Sequence, residues 1–187
     1  MIKAIISDFD GTLVDSFEAN LKAYQDAFKY VGLELTSEEY KKCFGFRFDR
    51  FMKEMGIDDQ NIITDIKEAK RKYYPKYFKL LKKNVPLIEL IRTCHAQGLK
   101  TAVASTARRE NLVKILKYFD IDNIFDVIYS GFDVLHGKPS PEIYLKAIGV
   151  LGINSEEALI FEDSEIGIEA AKGSGAHYMI ISPKQFA

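Results

Sequence analysis

The chain has 187 residues, a formal net charge of −1 at pH 7, 28% charged and 47% hydrophobic residues, a length and balance that fit one globular domain carrying a small insert. The near-neutral charge provides no basic footprint for nucleic acid. No apolar run is long enough to span a bilayer, and Lys3 and Asp8 interrupt the start where a secretory leader needs an apolar stretch.

Taken in chain order, Ala4, Ile5 and Ile6 read as a short strand buried on both faces, as in a parallel sheet. The strand ends in Asp8-Phe9-Asp10-Gly11-Thr12, where Gly11 and Thr12 turn the chain away. After Asp15 the period changes. Phe17, Leu21, Tyr24, Phe28 and Val31 form the stripe of an amphipathic helix that ends near Gly32. Ser37 opens a second helix, and Phe48 to Met55, closed by Gly56, make a third. The lysine-rich stretch from about Asp59 to Lys83 is helical in composition, with Pro75 kinking or dividing it. With no strand signal between 16 and 84, this is a helical insert of roughly 70 residues, enough for a small domain.

From Pro86 the pattern alternates. A helix between Pro86 and Gly98 turns Leu87, Leu90, Ile91 and Cys94 inward. Leu99 to Ala104 is a strand, Arg109 to Tyr118 a helix, and Phe125 to Tyr129 a strand. Pro141 to Leu151 is a helix with Tyr144, Ala147, Ile148 and Leu151 inward. Ala158 to Phe161 is a strand, followed by a helix through Ala171 and a last strand from Tyr178 to Ile181. Alternation of this kind implies an α/β fold, a doubly wound parallel sheet with right-handed crossovers. The expected domains are residues 1–15 with 85–187 as the α/β core and 16–84 as the helical insert. Cys43 and Cys94 lie far apart, form no metal or redox motif, and read as packing residues in a reducing compartment. The expected location is the cytoplasm.

Four stretches carry chemistry. Asp8 and Asp10 sit at the carboxyl end of a central strand, the edge at which open α/β sheets bind ligands. Two carboxylates so close call for a cation, and a hard divalent ion such as Mg²⁺ is the natural partner. Alone, they could be a polar turn. Ser105 and Thr106 bring hydroxyls and the N–H groups of a helix start to the same edge, which suits a phosphate; alone, they would be an N-cap. Lys138, held between Gly137 and Pro139, would alone be a solvated loop lysine. Glu162 and Asp163 end an apolar strand, with Ser164 placed to cap the next helix; alone, they could be helix-start electrostatics. Together they describe phosphoryl transfer. Asp8 can attack phosphorus, and Asp10 can protonate the leaving oxygen and then activate water. Lys138 and Ser105 can share the phosphoryl charge with Mg²⁺. Asp163, with Glu162 behind or beside it, completes the cation site.

Asp8-Phe-Asp-Gly-Thr-Leu-Val-Asp-Ser16 resembles the first motif of the haloacid dehalogenase superfamily, and the resemblance continues through the three later stretches in order. It implies the same roles: Asp8 nucleophile, Asp10 acid and base, Ser105 and Lys138 on phosphate, Asp163 on metal. It adds that the Asp10 backbone carbonyl also reaches the metal and that Thr12 steadies the loop. The insert resembles the α-helical cap of the phosphoglycolate phosphatase and β-phosphoglucomutase subfamily. Caps of that sort close over the site and exclude bulk water, with Val14 to Ser16 and Asn84 to Pro86 as the connecting strands. Phe44-Gly-Phe-Arg47 resembles a cap loop that touches substrate, which makes Arg47 and Arg50 candidates; a solvated helix face is the plainer reading of Arg50.

The expected activity is a Mg²⁺-dependent phosphatase acting on a small phosphorylated metabolite through an aspartyl-phosphate. The alternative is a sugar phosphomutase resembling β-phosphoglucomutase. Mutases use a cap histidine where Asn20 stands here, and asparagine cannot take up a proton in the working range. Ala69-Lys-Arg-Lys72, however, resembles a mutase segment in which the Lys72 position meets substrate phosphate. A third reading, a non-enzymatic phospho-switch, is opposed by Asp10, whose acid/base chemistry would discharge the phosphate a switch must keep.

Overall fold

The apolar run at the start of the chain forms β1 (Ala4–Ser7), the middle strand of a five-stranded parallel sheet in this computed structural model, which describes residues 1–182 and Phe186. The chain divides into two units, Met1–Asp15 with the chain from Lys82 onward, and Ser16–Leu81.

In the first unit, β2 (Val14–Asp15) pairs antiparallel with β3 (Lys82–Lys83). The sheet itself is β1 with β4 (Lys100–Ala104), β5 (Val127–Tyr129), β6 (Ala158–Glu162) and β7 (His177–Ile180), in the order β5-β4-β1-β6-β7. Ile6 lies beside Ala102 on one flank and Ile160 on the other. All four residues of β1 are buried because strands and helices cover every side of it, which is why its sequence is a continuous apolar run rather than an alternation. Ala4, Ile6, Ala102, Ala104, Ala158 and Ile160 share one face and pack with α7 (Glu142–Leu151) and α8 (Glu165–Gly173). The intervening Ile5 and Val103 are equally buried, and α5 (Val85–Ala96) and α6 (Arg109–Tyr118) contribute a separate buried set, Leu87, Ile88, Ile91, Leu112, Ile115 and Leu116. The alternation of strand residues between the two faces is the expected period of two.

Several expectations change. Helix does not run to Lys83. α4 (Gln60–Tyr73) gives way at Pro75 to a 3-10 helix, Tyr74–Leu80, because proline lacks the N–H an α-helix would use. Lys82 and Lys83 then form β3, so a strand lies inside the stretch expected to have none, and the first unit takes in Lys82, Lys83 and Asn84. Asn84 to Pro86 are not a connecting strand but the start of α5, with Asn84 as its cap. In α5 itself, Leu90 is exposed and Ile88 takes the inward place.

The second unit begins with α1 (Phe17–Tyr30), then α2 (Ser37–Cys43) and α3 (Phe48–Glu54) before α4. Thr36 and Glu39 close a reciprocal capping box at the start of α2, satisfying N–H groups that a helix end leaves open. The interior is aromatic: Phe51 lies 5.0 Å from the ring of Tyr24, 5.9 Å from Phe28 and 5.7 Å from Tyr40, centre to centre. Tyr24 and Tyr40 are thus core residues, as helical spacing suggests for aromatics. Phe51→Ala should cost this unit about 3–5 kcal/mol by leaving a cavity among these rings, read as a lower urea midpoint in unfolding followed by tyrosine fluorescence.

Candidate active site

Three central strands deliver their carboxyl ends to one place. Asp8 follows β1, with its N–H donating to the Phe161 carbonyl at 2.9 Å; Ser105 follows β4; Glu162 ends β6 and Asp163 follows it. The chain leaves β1 to build β4 and β5 on one flank and then β6 and β7 on the other. β1 is therefore the switch point of the sheet, where adjacent loops part and leave a crevice.

Lys138 arrives from the loop after β5 and is buried, its side chain 2% exposed. Its ammonium donates to Asp8 Oδ1 at 2.6 Å, to Glu162 Oε1 at 2.5 Å and to the Ala104 carbonyl at 3.3 Å. An ammonium offers three donors, so all three have partners. The plainer sequence reading of Lys138 as a solvated lysine is thereby excluded. Burial alone would lower the pKa of Lys138, but the Asp8 and Glu162 charges hold it well above the ordinary lysine value. It is a permanent cation.

Glu162 is wholly buried. Its Oε1 also accepts the Tyr144 hydroxyl at 2.7 Å, and its Oε2 accepts the N–H of Asp163 at 2.9 Å and both the N–H and hydroxyl of Ser164 at 3.2 Å. Although burial works against ionisation, Lys138 and these donors keep the carboxyl below its usual range. The carboxylate lies against Gly167, where an added Cβ would sit 1.9 Å from Oε1. Only glycine leaves α8 room to start over it. Ser164 caps α8 by accepting the Gly167 N–H at 3.1 Å, as expected.

Asp163 is held from the other side. The Thr12 hydroxyl donates to its Oδ1 at 2.7 Å. Gly11, at φ +93°, passes so close that a Cβ would lie 2.2 Å from Asp163 Oδ2, so conformation and space both demand glycine. Burial first, then the negative charges of Glu162 and Asp10, push the Asp163 carboxyl up to about 6, against the Thr12 bond and Lys138. Burial also lifts Asp8 well above the ordinary value, with Glu162 and Asp163 adding to the effect of burial and outweighing Lys138.

Oxygens of Asp8, Glu162 and Asp163 lie within 4.8 Å of one another. Asp10 adds a fourth negative charge near Asp163, against the single ammonium of Lys138, and this excess negative charge with oxygen donors only fits a hard divalent cation. Within that set Glu162 already spends both oxygens on Lys138, Tyr144 and the start of α8. Its place is behind Asp163, as the counter-charge of Lys138. Ser105, 1% exposed, accepts the Ala107 N–H at 3.0 Å and points its hydroxyl at Asp10 Oδ2 from 3.4 Å. It does not cap α6, whose cap position is Arg108. Thr106 is half-buried beside it.

Asn20, Arg47 and Lys72 belong to the second unit. Asn20 is buried and donates to the Ser16 hydroxyl at 3.1 Å. Arg47 is half-buried and pairs with Asp49 at 3.1 Å. Lys72 is exposed, whereas its neighbour Lys70 is buried, with its ammonium 3.6 Å from the centre of the Tyr74 ring. Arg50 is exposed, as its plainer reading expects, with its guanidinium over the Phe46 ring. Sequence reasoning missed Tyr144 as a partner of Glu162 and Asn84 as a partner of the Thr12 carbonyl. Tyr144 was legible as an inward helix position, but nothing local reveals that its hydroxyl meets a strand-end carboxylate.

A doubly wound sheet with this constellation defines a hydrolase class, and the comparisons agree. The chain matches the haloacid dehalogenase-like hydrolase family over residues 5–181. It belongs to that family. It is 29% identical to a phosphorylated carbohydrates phosphatase of Thermotoga maritima over 93% of this chain and 82% of that protein. It is 32% identical to a phosphoglycolate phosphatase of Aquifex aeolicus over 93% and 82%. The crystal structure of CbbY from Rhodobacter sphaeroides in complex with phosphate superposes with a TM-score of 0.85 at 30% identity, covering 96% of this chain and 86% of that one. Among the described residues no helix is long and apolar enough to cross a membrane.

Two outcomes follow. Tyr144→Phe removes one donor from the buried Glu162 and should cost about 1–3 kcal/mol of stability, measured by urea unfolding. Asp163 carries its proton to about pH 6 in the folded chain but only to the ordinary carboxylate range when unfolded. The folded state then binds the extra proton between those values, and this group's contribution to stability falls as pH rises through them. In divalent-free buffer, Asp163→Asn should therefore gain stability relative to the unsubstituted chain between pH 5 and pH 7, read as the difference in Tm.

Proposed function

We propose that this chain is a Mg²⁺-dependent phosphatase that hydrolyses a small-molecule phosphate monoester through an aspartyl-phosphate on Asp8. The observation that carries the reading is Lys138, an ammonium fixed 2.6 Å from Asp8 Oδ1 and anchored by Glu162. An enzyme that moves a phosphoryl group needs positive charge placed beside its nucleophile in advance.

In the first step a carboxylate oxygen of Asp8 bonds to phosphorus as the ester P–O bond breaks, and Asp10 gives its proton to the leaving oxygen. In the second, Asp10 takes a proton from water, the water oxygen bonds to phosphorus, and the bond to Asp8 breaks, releasing phosphate. Ser105 and Thr106 hold the phosphoryl oxygens, and Lys138, bonded to Asp8, offsets their charge throughout. Asp8 and Asp163, with the Asp10 carbonyl, would hold Mg²⁺. When bound, the ion supplies charge that neutralises the phosphoryl oxygens. The two related phosphatases, one named for phosphorylated carbohydrates and one for phosphoglycolate, support a small phosphate ester as substrate. The place of action on this reading is the cytoplasm.

Phosphate release from a panel of sugar phosphates, phosphoglycolate and nucleotides, with and without Mg²⁺, tests the reading. Release should require Mg²⁺, fall to background in Asp8→Asn, and fall roughly a hundred- to ten-thousandfold in Asp10→Asn. Conversion of β-glucose 1-phosphate without release would replace hydrolysis by a mutase. Stable labelling of Asp8 by a phosphodonor with no turnover would replace it by a switch.

A further inference from the structure

Asn84 opens α5 and is 1% exposed. Its side-chain oxygen accepts the Leu87 N–H at 3.2 Å, which is the ordinary work of a helix cap. Capping uses only one end of the amide. The other end, Nδ2, donates to the Thr12 carbonyl at 3.0 Å, and the main-chain N–H donates to the Leu13 carbonyl at 2.9 Å. Thr12 is wholly buried, and its hydroxyl donates to Asp163 Oδ1 at 2.7 Å. A continuous line of hydrogen bonds therefore runs from the first turn of α5, through the Thr12 residue, to a carboxylate of the proposed cation site.

Each link in that line is stiff. Threonine is β-branched and holds few rotamers, so fixing its carbonyl fixes the direction of its hydroxyl. Asp163 has little freedom of its own, since Gly11 closes off the space beside its second oxygen. A serine would cap α5 as well as asparagine does, and capping alone does not explain a buried amide that spans two segments. The geometry points to Asn84 as a positioning residue: by holding the Thr12 peptide it aims Asp163 and so sets the affinity for the divalent cation. This rests on the cation reading given above. Partners behind a metal ligand affect metal affinity because they orient it, and Asn84 stands one link further back, so its effect is smaller.

The test is direct Mg²⁺ binding by calorimetry to the full chain freed of divalent ions, with no turnover involved. Asn84→Ser keeps a capping oxygen but is too short to reach the Thr12 carbonyl as well. Its dissociation constant for Mg²⁺ should rise roughly three- to tenfold, together with a lower Tm, because the buried Thr12 carbonyl loses its donor. Thr12→Val should weaken binding too, and adding Asn84→Ser to it should weaken binding no further. Unchanged affinity in either single variant, or independent losses in the double variant, would overturn the inference and leave the phosphatase reading intact. No Mg²⁺ uptake by the unsubstituted chain would overturn the cation reading, and this inference with it.

Discussion

The site depends on one buried ammonium. Lys138 is held by Asp8 and Glu162 at the end of a sheet where water is excluded. A charge in such a place survives only with partners close enough to offset the loss of hydration, and here the partners come from two neighbouring strands. Asp8 follows β1 and Glu162 ends β6, and the parallel register sets Ser7 beside Phe161, so the two carboxylates emerge side by side. Remove the register and the lysine has nowhere to go. Charge and strand pairing therefore specify one another.

The same reasoning explains why so much of the surroundings is committed to Glu162. A carboxylate that serves as anchor must not compete for a cation or a proton, and saturating both oxygens with donors prevents this. Tyr144 does so from α7, and the start of α8 does so from the opposite side. Gly167 removes the last steric obstacle. The acid next in sequence is treated differently. Asp163 accepts from Thr12 and stands in an environment that raises its pKa, which leaves it with capacity for a positive partner. On the reading proposed above, adjacent residues thus serve as anchor and ligand because their partners differ.

Much of this was legible in the sequence. β1 announced itself by an apolar run too continuous for a half-exposed strand, and α7 by the inward spacing of Tyr144, Ala147, Ile148 and Leu151. The three strand-end stretches could be aligned to one sheet edge because parallel topology sends every carboxyl end the same way. What was not legible depends on contacts across long separations. β3 consists of two lysines, Lys82 and Lys83, whose extended conformation comes from pairing with β2 and not from any propensity of their own. Leu90 and Ile88 are both apolar at plausible helix positions, and only the angle at which α5 meets the sheet decides between them. Asn84 reads locally as a cap; its second bond, to a carbonyl 72 residues earlier, has no local signature.

On the proposed mechanism, the two aspartates after β1 illustrate how environment would divide labour between identical side chains. Asp8 is buried and bonded to a permanent cation, whereas Asp10 is half-buried and meets a neutral hydroxyl of Ser105 at the long distance of 3.4 Å. A nucleophile must be fixed in direction and stripped of water, and burial beside Lys138 does both. A group that exchanges protons with a leaving oxygen and then with water needs contact with solvent and freedom to change charge. Yet burial and two neighbouring carboxylates also raise the pKa of Asp8, and a protonated Asp8 cannot attack. On the reading proposed above, the cation resolves this conflict. It would balance Asp163 and Asp8 together, so the negative charge that binds it is also the charge whose repulsion it removes. The acidic cluster then has one explanation for its affinity and for its reactivity.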